Sequence, residues 1–492
     1  MFEKITPEAA GVSSRRVLEF YDYLERRGLT MHSVLLAKGD ALFAEGYWAP
    51  FAVDTCHRMY SETKSYMAIA VGLLLEEGKL SLDDRVADYF PDRIHRPLPD
   101  RLAEQTVRDM LLMKTSCRSP QWFFETEPDR TALYFDRGEA FRPAGTYWQY
   151  DSPGSQVLCS LVERLAGTSL FDYLNDRIFR HLGTFKTAEI LKTPNGDSWG
   201  DSALVCTPRD MLSFARLLLN YGKWGDRQLI SEAFVREATS PLVDNDVVGH
   251  PAYDNHGYGY QIWRYEQGFG FNGMGCQLTV CVPESDMIFV CTADNQGNAA
   301  AGEMIVDAFF DYIVRPAADT PLPEDGEGAA ALDAYLSHLS LRAAHGKPVS
   351  PFMQELDGRT YVCEKNPTGI TEFSFTFGED GTGVLHYTNA QGEKALPFGL
   401  GKNVFGHFPQ LGYADGVGRV PTENGFMYRC AASAAFAEER TLRLRVQIID
   451  RYLGNATMFF AFRGREVAVR MIRSAEAFLR EYDGCFVATL RE

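Results

Sequence analysis

Apolar and polar positions along this chain change rhythm several times, and each rhythm predicts an element. SRRVLEFYDYLERRG reads as a helix, and HSVLLAKGDALFAEGYW reads as a hairpin. In the latter, Val34 and Leu36 precede, and Ala41 and Phe43 follow, a Lys38-Gly39-Asp40 turn. An almost unbroken apolar run, YMAIAVGLLL, then predicts a buried helix. LSLDDRVADYFP and TVRDMLLMKTS predict short helices and connectors. SQVLCSLVERLAG and SLFDYLNDRIFRHLG are amphipathic and stop at Gly167 and Gly183, as helices capped by glycine do. TPRDMLSFARLLLNYG is a further helix, with Thr207 as N-cap before Pro208. YGYQIWRYEQG, CQLTVCVPES and DMIFVCTADN read as antiparallel strands, and AAAGEMIVDAFFDYIV as a closing helix. Strands at both ends with helices between them predict an α+β fold whose antiparallel sheet draws on both ends and is flanked by helices, with a helical insert.

Beyond this point the pattern changes. RPAADTPLPEDGEG is rich in Pro, Gly and acid and reads as a linker. After it, TEFSFTFGEDGTGVLHY, TLRLRVQIID, ATMFFAFRG and REVAVRMI alternate with period two, Leu442, Leu444, Val446 and Ile448 sharing one face. Short alternating strands with polar turns predict a small antiparallel β-barrel or sandwich. The expected division is a domain over 1–315, a linker over 316–330 and a β domain over 331–492.

Composition narrows the function classes. At 492 residues the chain exceeds one ordinary core. A formal net charge of -17, with no basic run, argues against nucleic acid or an anionic membrane as partner. The N-terminus shows no positive segment followed by an apolar one, and no apolar run is long enough to span a bilayer. The expectation is therefore a cytoplasmic location, with the ten cysteines reduced and mostly packed. No CxxC pair and no Cys/His spacing points to a metal.

The chemistry concentrates in YSETKSYMAIAVGLLLEEGKLSLDD, residues 60–84, where Ser61 stands three residues before Lys64. Residues i and i+3 share a helix face, so the lysine amine can reach the serine hydroxyl. Open backbone N–H groups at a helix start suit a developing oxyanion. Desolvation favours the neutral form of an amine, the form that takes a proton. A bland alternative stands beside this one: Ser61 or Glu62 and Thr63 serve as caps, and Lys64 is a solvated first-turn residue. Elsewhere GDSWG, residues 196–200, matches Gly-x-Ser-x-Gly around Ser198, but no strand and helix flank it as a nucleophile elbow requires. His57 reads as a structural neighbour, Arg209 and Asp210 as helix-start residues, and Tyr173 as core.

The Ser61–Lys64 segment resembles the nucleophile segment of the serine β-lactamase-like hydrolases, a group that includes class C β-lactamases, DD-peptidases and β-lactamase-like carboxylesterases. Further segments resemble the family in order over roughly residues 5–315. TVRDMLLMKTS matches a leucine-rich turn, with Cys117 replacing a glycine. PAGTYWQYDSPGSQVLCSLVERLAG matches the second motif at Tyr150-Asp151-Ser152, and GFGFNGMGCQLTVCVPESDMIFV the third at Phe271-Asn272-Gly273. The resemblance implies the β-lactamase/transpeptidase-like fold and two-step acyl transfer. Ser61 is then the nucleophile, Lys64 and Tyr150 share its proton, Ser152 bonds Lys64 or the substrate, and the N–H groups of Ser61 and Met274 form the oxyanion hole. Gly273 lets an edge strand approach the substrate. Tyr-x-Asn also occurs at Tyr173-Leu174-Asn175 and Tyr387-Thr388-Asn389, but it is Tyr150 that follows the PAGT turn; Tyr387 lies among the C-terminal strands.

The third motif lacks the cationic residue that binds the carboxylate of penicillins, which argues against β-lactams. The substrate expected is a small molecule or peptide-like ester or amide, selected by loops such as residues 118–142, with no metal or organic cofactor. A D-amino-acid peptidase, a DD-peptidase or a weak β-lactamase is the same-class alternative. A catalytically silent ligand-binding or sensor module is the other. The C-terminal β domain resembles the lipocalin-like barrels attached to some family members, with a role in walling the site or in assembly.

Overall fold

The computed structural model describes residues 2–118, 127–246, 252–409, 427–476 and 479–492. It divides into one unit that runs to Ser340 and another that starts at Leu341. The strands of the first unit's main sheet are β1 (Glu3–Lys4), β2 (Met31–Lys38), β3 (Ala41–Tyr47), β4 (Trp263–Tyr265), β5 (Gly268–Gly273), β6 (Gln277–Val282) and β7 (Met287–Ala293). Among the described residues these seven lie in the order β1-β3-β2-β7-β6-β5-β4, antiparallel except for β1 against β3. The N-terminal hairpin and the C-terminal meander thus meet at β2–β7, as the strand-helix-strand pattern predicts.

Both faces of the centre are covered, so β2 and β7 carry apolar residues at successive positions. Val34 and Leu36 of β2 face one way with α1 (Ser14–Arg26) and the closing helix Ala301–Phe309. Leu35 and Ala37 face the other way, toward α2 (Thr63–Glu76), α3 (Ser152–Ala166) and α4 (Pro208–Leu219). Helix α2 is apolar on every side and is enclosed accordingly, with Lys64 through Leu74 all buried. The ring of Phe234 crosses it where a Cβ on Gly72 would stand, 2.2 Å away. Helix α4 starts as expected, with Thr207 in a reciprocal capping box with Asp210 and Pro208 at its first position.

The expected linker over 316–330 is instead pinned to the first unit. The N–H of Ala318 donates to the Gly11 carbonyl at 2.8 Å, and that of Leu322 to Glu8 at 2.9 Å. Arg15 grips Asp325 at 2.7 Å, and a helix spans Gly326–Ser337, burying Leu332 in the core that α1 covers. The Pro-rich stretch is a surface crossing whose backbone is bonded to other parts of its own unit.

In the second unit the strands are β8 (Thr360–Cys363), β9 (Glu372–Phe377), β10 (Thr382–Asn389), β11 (Gly392–Leu400), β12 (Val404–His407), β13 (Arg429–Glu438), β14 (Thr441–Ile449), β15 (Leu453–Arg463), β16 (Glu466–Ala475) and β17 (Gly484–Leu490). Among the described residues nine of them close a barrel, β11-β10-β9-β8-β17-β16-β15-β14-β13, with β12 added beside β13. Every neighbouring pair is antiparallel except the closing one, where Gly399 and Leu400 run parallel to Ser433 and Ala434. The seam follows from parity, since an odd number of alternating strands must bring two of like direction together. Leu442, Leu444, Val446 and Ile448 are buried, and Tyr387 bonds Tyr482 at 2.8 Å in the interior. None of the ten cysteines is in a disulfide. Among the described residues no helix is long and apolar enough to cross a membrane.

Candidate active site

The turn Tyr60–Glu62 leads directly into α2, with Tyr60 at φ 49°, a left-handed conformation that side-chain-bearing residues rarely adopt. It holds Ser61 half-exposed at the helix mouth. Lys64, one turn on, is buried, and its Nζ stands 3.0 Å from Ser61 Oγ. The same amine donates to the backbone carbonyl of Asp201 at 2.7 Å and lies 3.8 Å from its carboxylate. The amine also sits 5.1 Å from the centre of the Tyr150 ring, which stacks on Trp263. Ser61, Lys64 and Tyr150 are therefore brought together, from two stretches of chain far apart in sequence.

The third stretch was missed by sequence reasoning. Asp201 closes the GDSWGD segment, whose only sequence signal is the Gly-x-Ser-x-Gly pattern read as a decoy. Ser198 itself is fully buried, its N–H bonded to Glu163 and its carbonyl to Gln156. Next to Asp201, Ser202 is clasped by the buried Arg58, whose Nε reaches the Ser202 carbonyl at 2.8 Å and Nη2 its hydroxyl at 2.9 Å. The Arg58 guanidinium lies over both Tyr60 and Trp199, 4.4 Å and 4.3 Å from the ring centres. One cation thus ties the loop that aims Lys64 to the turn that carries Ser61.

Strand β5 forms the opposite wall. Its side chains alternate, and this separates the roles expected for the third motif. Phe271 is fully buried against Tyr66 and Phe214, so its side chain is core and not part of a substrate surface. Asn272 points the other way and donates to Tyr253 Oη at 2.9 Å and to Asp254 at 2.8 Å. Gly273 is required by a close approach: a Cβ there would stand 2.1 Å from the Met59 carbonyl, so the residue lets β5 abut the backbone just before Ser61. Nor is β5 the sheet edge, since β4 covers it, though only over Gly268–Gly270. Met274 follows half-buried, its carbonyl held by Gln277 at 3.0 Å. Among the described residues no hydrogen bond occupies the backbone N–H of Ser61 or of Met274.

Other expected residues fall into structural places. Ser152 opens α3, half-buried, and its hydroxyl bonds neither Lys64 nor any other group among the described residues. Asp151 takes the N-cap there, accepting from Gly154. His57 is buried beside Phe51 and 3.1 Å from His32, and burial pushes its imidazole down to about 4. Arg209 pairs with Glu45 at 2.7 Å. Tyr173 is core. Glu62 and Thr63 do not cap α2: Thr63 Oγ1 accepts from Leu204 N, and Glu62 turns inward to Thr279. Of the expected specificity loop 118–142, residues 119–126 lie outside the described residues.

Comparison with known proteins supplies a frame for this geometry. The sequence model described as Beta-lactamase matches residues 22–307, more than half of the chain. A 6-aminohexanoate-dimer hydrolase of Paenarthrobacter ureafaciens is 26% identical over 216 residues, 41% of this chain and 55% of the relative. A lovastatin esterase of Penicillium rubens is 28% identical over 172 residues, 30% of this chain and 43% of that enzyme. The chain thus spans about half the length of these curated relatives. Among solved structures, a penicillin-binding protein homologue from Caulobacter crescentus shares the fold with a TM-score of 0.51 and 18% identity, over 62% of this chain and 99% of that one.

Proposed function

The chain belongs to the Beta-lactamase family, and from that premise we propose that it is a serine hydrolase that cleaves an ester or an amide through an acyl-enzyme on Ser61. The observation that carries the reading is the buried Lys64 amine 3.0 Å from Ser61 Oγ, with the Tyr150 ring against it. Ser61 Oγ bonds to the substrate carbonyl carbon as its proton passes to Lys64. The oxyanion formed is met by the N–H groups of Ser61 and Met274. When the tetrahedral intermediate collapses, the bond to the alcohol or amine breaks, and Tyr150 relays the proton to that leaving group. Water then adds to the acyl carbon, returns a proton to Ser61 by the same route, and releases the acid.

The substrate class follows from what borders Ser61. Phe271 supplies no cation for the carboxylate of a penicillin, and Asn272 is engaged with Tyr253 and Asp254. An uncharged acyl group fits this wall better than a β-lactam. The relatives include one named for an amide dimer and one for an ester, which supports both leaving groups. The test compares p-nitrophenyl esters with nitrocefin. The expected result is ester turnover with slow nitrocefin cleavage. Rapid nitrocefin turnover would contradict the substrate reading, and equal ester turnover by Ser61→Ala would contradict the nucleophile.

A further inference from the structure

Glu62 adjoins the nucleophile but points away from solvent. Its side chain is fully buried; Oε1 accepts from the Thr279 hydroxyl of β6 at 2.6 Å, and Oε2, equally buried, has no hydrogen-bond partner. The titratable groups around it are Tyr66 of α2, Cys206 of the strand Leu204–Cys206, Tyr265 of β4, Cys281 of β6 and Cys291 of β7. None of these is a cation. Burial therefore pushes the carboxyl up to about 8, only partly opposed by the Thr279 bond.

A carboxylate in that place would be a buried, uncompensated charge, and the side chain would be driven toward water. The segment it would carry with it is the Ser61 turn. That turn is short and closely fitted: Glu62 N donates to the Met59 carbonyl at 3.2 Å, and Gly273 presses on the same carbonyl. Movement of Glu62 therefore displaces Ser61 relative to Lys64 and to Met274 together. We propose that the neutral carboxylic acid of Glu62 is a positioning residue, a latch that fastens the Ser61 turn to β6, and that loss of its proton releases the turn and silences Ser61. This rests on Ser61 being the nucleophile.

The sign of the pH effect is set by linkage. From the usual value of 4.5 up to about 8 the folded protein keeps a proton that the unfolded chain has lost, so stability falls as pH rises through that window and levels off above it. Reactivity follows the folded state and drops near its upper end. Glu62→Gln keeps the shape and one acceptor but cannot ionise; Glu62→Ala removes the latch.

The experiment measures the rate of labelling by a fluorophosphonate probe from about pH 6 to about pH 10, with melting temperature over the same range and down to about pH 4. The wild type is expected to lose labelling rate above about pH 8, and Glu62→Gln to match it at neutral pH while keeping about tenfold more rate at about pH 9. Glu62→Ala is expected to label slowly throughout, with Gln as the rescuing variant. An unchanged alkaline limb in Glu62→Gln, or its failure to label at neutral pH, would overturn the proposal. So would melting temperatures of wild type and Glu62→Gln that run parallel across the window. An unlabelled wild type would instead contradict the Ser61 assignment, and the melting comparison would still judge the proton on Glu62.

Discussion

Two serine–lysine pairs lie in the first unit at the same separation, 3.0 Å for Ser61 with Lys64 and 3.0 Å for Ser198 with Lys192. Their surroundings are opposite. In the first pair the lysine side chain is 1% exposed and the serine is half-open; in the second the lysine is 43% exposed and the serine fully buried. The Ser198 peptide gives its N–H to Glu163 and its carbonyl to Gln156, so nothing is left there to meet an oxyanion. Lys192 also lies 3.9 Å from Glu163. Distance between hydroxyl and amine does not make a nucleophile. What separates the pairs is which partner is withdrawn from water and whether the neighbouring N–H groups are still open. The two are also linked in sequence, because the segment that buries Ser198 ends in the Asp201 carbonyl that aims Lys64.

The sharpest way to break this contrast is to remove each hydroxyl. Ser61→Ala is expected to lower kcat for a p-nitrophenyl ester by roughly 10³-fold or more, and Ser198→Ala to leave it within about threefold. The lysines come next. Lys64→Met is expected to cost roughly 10²–10⁴-fold in kcat, the usual range for a lost proton acceptor, whereas Lys192→Met changes kcat little. Tyr150→Phe keeps the ring stacked on Trp263 and the face against Lys64 but removes the hydroxyl. A loss of about 10²-fold in kcat with KM nearly unchanged is expected from steady-state kinetics on the same ester. The smallest effect is structural. Phe271→Leu trims a ring packed against Tyr66 and Phe214, and is expected to lower stability by about 1–2 kcal/mol in urea denaturation while kcat stays within about threefold. A large drop in kcat with unchanged stability would instead put Phe271 in the substrate wall.

Legibility in the sequence tracks how local each interaction is. Ser61 and Lys64 are about one helical turn apart, so their meeting is written in a three-residue spacing. Cap and turn chemistry is equally local, which is why Thr207 with Pro208, Gly167 and Gly183 mark the helix boundaries found. Asp201 lies 137 residues from Lys64 and acts through its backbone carbonyl, a group every residue has, so no residue type announces it. Arg58 was invisible for a related reason: its partners, Ser202 and Trp199, converge only once the 199–202 loop folds back. Residues 271–273 lie on a strand, as their pattern reads, but strand alternation decides which side chain faces the core, and there Phe271 turns inward. The Pro- and acid-rich stretch after 315 has the composition of a tether; its bonds to Glu8, Gly11 and Arg15 are long-range and leave no pattern.

The central claim is that the buried-lysine pair, and not the buried-serine pair, carries the nucleophile. Mass spectrometry of the intact protein after reaction with a fluorophosphonate, followed by peptide mapping of the adduct, tests it most directly. The account predicts a single adduct on the peptide that contains Ser61, lost in Ser61→Ala and retained in Ser198→Ala. An adduct on Ser198, or one that persists in Ser61→Ala, would contradict it.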